Sequence, residues 1–296
     1  MYIDLNDSIA VAGSDETGMF WRVDGIEDAS QLMNGRYVFG SRVNVDEFPG
    51  HVSNLIIFGA LSESILQLLL KKTFHSIVFT GCAIADREIR LLRSRRLRWL
   101  SFDRCDLSSV SDPHSLLSHS LFLTGCSSPP AASAIRCETL SLRFPNFMPG
   151  QDVFSECRQL FVYGGVESEL LCERIAGSEQ MEEVFLHDLT LQSTDLIRLL
   201  GTPRKRVSLG DSFVFFDASF SLGGLRSNVS SLRMGQAMVE APALRAILAA
   251  CPSLTSLDLP RVRLDRKLFE ALRKLPLEEL SLAKGSIEKS GKTIAG

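Results

Sequence analysis

Four groups of residues in this sequence are of types that do chemistry. Gly285, Gly291, Lys292 and Thr293 outline something like a phosphate-binding loop. In that motif four residues separate the glycines, so that backbone N–H groups curl around the phosphates ahead of the lysine and hydroxyl. Here five residues separate them, and phosphate binding is not expected. The seven cysteines, Cys82, Cys105, Cys126, Cys137, Cys157, Cys172 and Cys251, include no pair at the C-x-x-C spacing of zinc or redox sites. The histidines, His51, His75, His114, His119 and His187, are scattered, and no H-E-x-x-H, G-x-S-x-G or G-x-G-x-x-G occurs. His114 and His119, beside Ser115 and Ser118, read as part of a solvated return loop. The densest charge is Arg87, Arg90, Arg93, Arg95, Arg96 and Arg98, on a helix and its following loop. Such a cluster suits phosphate or an acidic partner, but its plainer reading is a solvated outer face.

Composition narrows the classes further. The chain has 296 residues, 45% of them hydrophobic and 23% charged, with a net charge of −3. That is too apolar and too balanced for disorder, and too poor in cysteine for a disulfide scaffold. Near-neutral charge gives no general attraction to nucleic acid or anionic lipid. Apolar runs such as Leu55–Phe58 and Leu68–Leu70 are short, far from the roughly 20 residues needed to span a bilayer. The N-terminus shows no basic start followed by an apolar core, so no signal peptide is expected. A reduced, cytoplasmic protein with no membrane contact is the resulting expectation.

The elements that position these residues emerge from a repeat. Leu254, Leu257, Leu259, Val262 and Leu264 set apolar positions 1, 4, 6, 9 and 11 of a template. Met181, Val184, Leu186, Leu189 and Leu191 fill the same positions, as do Leu97, Leu100, Phe102, Cys105 and Leu107. Further full matches start at Cys137 and Val229, and partial ones at Val52, Phe74, Ser118, Cys157, Arg204 and Leu277. The fourth-position anchors are Leu55, Ile77, Leu100, Leu121, Leu140, Leu160, Val184, Val207, Leu232, Leu257 and Leu280. They cover 225 residues in ten steps, a mean of 22.5. Alternation at positions 4 and 6 predicts a short strand in each unit. Helical returns are predicted over 62–70, 86–92, 193–200, 241–250 and 265–275, with Asp265 and the Ser193-Thr194-Asp195 stretch as N-caps. Around 211–224 the Phe- and Gly-rich return reads as irregular.

This pattern resembles the leucine-rich repeat family, whose signature is L-x-x-L-x-L-x-x-N/C-x-L at periods of roughly 20–29 residues. The resemblance covers about residues 52–287, some eleven repeats. It implies an α/β right-handed solenoid: a horseshoe with a parallel β-sheet on its concave side and a mixed helical and irregular convex side. Cys82, Cys105 and Cys126 fall at the family's Asn/Cys position, and the thiols read as buried structural groups. Residues 1–51 carry nine acids against three arginines and read as a β-rich N-terminal cap, with strands near 2–11, 19–23 and 36–45. That cap includes a degenerate repeat around Tyr37 and Phe39, or else is a separate small module. Residues 288–296 read as a flexible tail.

In such a repeat, positions 3, 5, 7 and 8 face the concave side. They place Trp99, Asp103, Arg104, Phe122, Arg143, Phe144, Phe161, Tyr163, Phe185, His187 and Asp188 on one surface. Aromatics there, flanked by charge, have the composition of a protein-binding patch. The alternative is that the rings only stabilise the sheet. The expected function is a non-catalytic scaffold that binds an unidentified protein partner on this face, with no cofactor and no metal. The alternatives are an enzyme regulator, such as a GTPase-activating protein, and binding of nucleic acid or an acidic partner through 87–98. Nucleic acid is the less expected partner, because that segment lacks interleaved stacking residues apart from Trp99.

Overall fold

The structure, a computed structural model, describes residues 20–23, 36–39, 46, 50–93, 97–110, 116–127, 135–143, 154, 156–164, 167–216, 220–234, 241–259 and 265–282. Phe144, His114, the stretches 2–11 and 144–150, and residues 283–296, with the phosphate-loop lookalike and the tail, lie outside these.

The chain opens with β1 (Phe20–Val23) and β2 (Arg36–Phe39), where strands are expected. β3 (His51–Phe58), α1 (Glu63–Lys71), β4 (Thr73–Thr80), β5 (Ala83–Ala85), α2 (Asp86–Arg93), β6 (Leu97–Asp103) and β7 (Asp106–Ser109) follow. Next come β8 (Leu116–Thr124), β9 (Ile135–Arg143), β10 (Gln159–Tyr163), α3 (Ser168–Ala176), β11 (Glu183–His187), β12 (Thr190–Gln192) and α4 (Ser193–Leu200). The last are β13 (Arg206–Ser208), β14 (Phe213–Phe215), β15 (Ser231–Arg233), α5 (Ala241–Ala250), β16 (Ser256–Leu259), α6 (Arg266–Leu272) and β17 (Glu279–Leu282).

Thirteen strands form one parallel, unclosed sheet, ordered β17-β16-β15-β13-β11-β10-β9-β8-β6-β4-β3-β1-β2. From β3 onward, spatial order follows chain order. The N-terminal pair inverts it: β1 lies against β3, and β2 forms the edge. Two small parallel pairs, β5 with β7 and β12 with β14, lie beyond the main sheet.

The eleven anchors stand directly opposite one another on neighbouring strands, from Leu55 beside Ile77 through to Leu257 beside Leu280. One period of sequence is therefore one step of the sheet. Ten anchors are at most 1% exposed, and they merge with helix residues such as Leu68, Leu199 and Ile247 into one core. Only Leu280, on the edge strand, is open, at 47%.

Between steps the chain turns through a left-handed backbone residue at position 8. Gly59, Gly81, Gly125 and Gly164 occupy it with φ of 57–69°, and Arg104 and Asp188 take it with φ of 50° and 54°. Position 9 then reaches back to the preceding unit. The thiols of Cys82, Cys105 and Cys126 donate to the carbonyls of Ile57, Phe79 and Phe102 at 3.7, 3.4 and 3.2 Å. Ser212 reproduces this rung: its hydroxyl donates to Leu186 O at 3.1 Å and accepts from Leu189 N at 3.2 Å. Each rung thus gives a strand-end carbonyl a side-chain donor inside the dry core.

Helices form in all five expected returns. Asp265 caps α6, accepting from Leu268 N at 2.6 Å. At α4 the cap shifts one residue upstream of the expected stretch, to Gln192, whose N–H donates to Asp195 at 2.9 Å. Two expectations need correction. α3 was not anticipated. And His119 is no return-loop residue: it lies in β8, 3.1 Å from Glu138 of β9. Arg204 at a first, core position is also unusual. It is wholly buried, and its guanidinium donates to the carbonyls of Met181 and of Ile175 in the last turn of α3.

Candidate protein-binding face

The sheet buries positions 4 and 6 and turns positions 3, 5 and 7 the other way. On that open face the rings pair across strands. Trp99 stacks on Phe122 with centroids 4.6 Å apart, and its indole N–H has no hydrogen-bond partner among the described residues. Phe161 and Phe185 stand opposite each other in β10 and β11, and their rings lie 4.3 Å apart and 1° from parallel. Tyr163 stacks on His187 at 5.0 Å. The Arg206 guanidinium sits 6.0 Å from the Phe185 ring, within cation–π reach. All six rings are partly buried.

These side chains line an open trough of about 710 Å³ that runs across the strands as far as Arg233 and Asp258. A polar row flanks the rings: Thr139 donates to Gln159 at 3.0 Å, Gln159 to Glu183 at 3.4 Å, and Arg206 lies 3.9 Å from Glu183. Arg233 pairs with Asp258 at 3.0 Å. Every step of the sheet delivers one position-3 and one position-5 side chain, so the face is a direct consequence of the repeat register.

Of the residues expected on this surface, Trp99, Phe122, Phe161, Tyr163, Phe185 and His187 are gathered there. Arg143 ends β9 in register with Tyr163 and Thr124. Phe144 lies outside the described residues. Asp103 is the correction: it is only 2% exposed, and Arg104 folds back to donate to it from Nε and Nη2 at 3.2 Å each. Its carboxylate is thus engaged by Arg104. Arg104 and Asp188 are exposed, but they serve the left-handed turn at the strand ends. Two further residues line the trough. Arg98 was assigned to the outer Arg-rich segment, yet it lies in β6 and faces the trough, and His119 does likewise from β8. Their signal was position 2 of the template, which was left unassigned. On the outer face, Arg87 pairs with Glu63 at 3.0 Å.

Burial pushes the Cys126 thiol up to about 12 and Cys251 to about 11, so both are protonated at neutral pH. Burial also lowers the pKa of His187, which nearby Asp211 partly opposes. Among the described residues, no three His, Cys, Asp or Glu side chains converge as metal ligands, and no helix is long and apolar enough to cross a membrane.

The chain matches no family model and no curated protein. Functional inference therefore rests on the face itself.

Proposed function

We propose that this chain is a non-catalytic protein-interaction scaffold that captures a protein partner on the aromatic face of its sheet. The observation that carries this is the double ring stack, Trp99–Phe122 and Phe161–Phe185, beside an open trough. Rigid rings lose little side-chain freedom on binding, and partly buried aromatics beside arginine are the usual energetic centres of protein interfaces. The raised pKa values of Cys126 and Cys251 speak for a structural role of these two thiols and against nucleophilic work. We further propose membership of the leucine-rich repeat family, with the aromatic face on the concave side of a horseshoe. The one-step-per-period register and the Cys/Ser rungs support this. The free thiols fit a reducing, cytoplasmic setting.

The test is affinity capture from native lysate with the parent chain beside Phe161→Ala and Phe185→Ala. Partner capture should be lost, while the unfolding free energy falls only by what one stacked pair represents, about 0.5–1.5 kcal/mol beyond the ring's area burial. If capture and stability fall together in proportion, the rings are structural and the proposal fails.

A further inference from the structure

The two ring stacks on the open face are not continuous. Phe122, Ser141 and Phe161 stand directly opposite one another on β8, β9 and β10, so the middle strand carries a serine where its neighbours carry rings. Ser141 is 8% exposed, sunk between them. Strands lie about 4.8 Å apart, so the two rings bracket a gap of roughly 9.6 Å. A single ring at its centre would lie about 4.8 Å from each wall, inside the roughly 4.5–7 Å range that aromatic pairs favour. A second ring would not fit. Outside the gap the order is already set, by Trp99 at 4.6 Å behind Phe122 and by Phe185 at 4.3 Å behind Phe161. Trp99 reaches Phe122 diagonally from position 3, and the row's own places on β6 and β13 are Ser101 and Ser208, so the place with a ring on both sides is the one at Ser141.

We propose that this slot receives one aromatic side chain, Phe, Tyr or Trp, from the protein partner. The inference rests on the reading of the face as a protein-binding surface and names its central contact. Charge favours a side chain over a nucleobase. Of the three arginines that line the trough, Arg98, Arg206 and Arg233, the two on the Phe185 side are matched by carboxylates on the same face, Arg206 by Glu183 at 3.9 Å and Arg233 by Asp258 at 3.0 Å. A phosphate backbone would have to compete with those carboxylates. The ring of a protein side chain brings no charge of its own.

The experiment titrates the full-length chain with N-acetyl-tyrosinamide, N-acetyl-leucinamide and oligo(dT), following backbone amide resonances. The tyrosine probe should shift signals of β8, β9 and β10 and bind about two- to twelvefold tighter than the leucine probe, the order of one stacked ring pair. Ser141→Phe fills the vacancy from within. It should keep the parent's circular dichroism and lose the tyrosine probe by a similar factor. Should Ser141→Phe fail to fold, Phe122→Leu removes one wall with little change in volume and should lose the probe equally. Absence of tyrosine-probe binding, equal binding of the leucine probe, or undiminished binding by the folded variant overturns the slot. Tighter binding of oligo(dT) at the same residues reassigns it to a base and overturns it too. The wider reading is judged separately: a partner lost by Phe161→Ala and Phe185→Ala but kept by Ser141→Phe removes the slot and leaves the face.

Discussion

The imidazole of His187 lies against the Tyr163 ring on one side and the backbone of Gly210 on the other, where any Cβ would collide with it. Burial favours its neutral form, Arg233 adds to that, and Asp211 works against it. With the folded pKa below the usual His value of about 6.5, the unfolded chain takes up a proton first as pH falls. His187 therefore contributes stability above about pH 6.5 that is lost as the pH drops toward its folded pKa. His187→Phe keeps a ring on Tyr163 and removes the titration. Melting curves between about pH 5 and 7.5 should show the parent losing stability relative to this variant on the acid side, and parallel curves would refute the assignment. Position 7 of the repeat made the direction of His187 legible in the sequence. The depth of Asp103 was not legible, because the exposure of a short side chain depends on its neighbours across the strands. Ser101, Asp103, Ser141 and Ser208 all point to the open face, yet all are at most 8% exposed.

Each unit of the fold is joined to the last by a rung, and rungs have different chemistry. Ser212→Ala strips Leu186 O and Leu189 N of their shared partner inside the core. Thermal or urea unfolding should show a loss of about 1–3 kcal/mol, with Ser212→Cys retaining more, since Cys fills the same place at residues 82, 105 and 126. The turn before the rung can be tested apart from it. Gly81 has φ of +62° and open space where a Cβ would go, so Gly81→Ala meets only backbone strain, about 1–2 kcal/mol. A loss much larger than that would mean that packing also constrains the site. At this scale the strands of the main sheet and five helices were readable, because apolar spacing is the physical cause of their burial, whereas the outer pairs β5–β7 and β12–β14 were not, and β14 stands inside the stretch expected to be irregular. α3 escaped because it announces itself weakly: its cap residue Glu167 makes no side-chain cap bond, and only Leu171, Cys172 and Ile175 are buried. The rest of its stability comes from packing beside α4, which no local pattern displays. Arg204 at a leucine position was the one hint that a helix end needed a donor there.

Across the whole molecule, identical repeat positions differ only in how many neighbours stack on them. Leu160 is fully buried in the middle of the sheet, whereas Leu280 on the last described strand is 47% exposed. Leu160→Ala should cost about 2–5 kcal/mol by opening a cavity, and Leu280→Ala far less. Equal losses in chemical denaturation would mean that something else covers the last strand. The parallel sheet and its register could be read from the 22.5-residue period. The inversion of β1 and β2 could not, because strands of four residues carry no sign of which neighbour they choose. The register also has a kinetic consequence. Large sheets are slow to assemble when their partners are far apart along the chain, but here each strand from β3 onward pairs with the next, about one period away. Divided by 296 residues, that separation gives a relative contact order near 0.08, in the range of helical bundles. This sheet should therefore grow strand by strand from any well-packed unit, and its refolding rate should resemble that of an all-helical protein more than that of a β-sandwich.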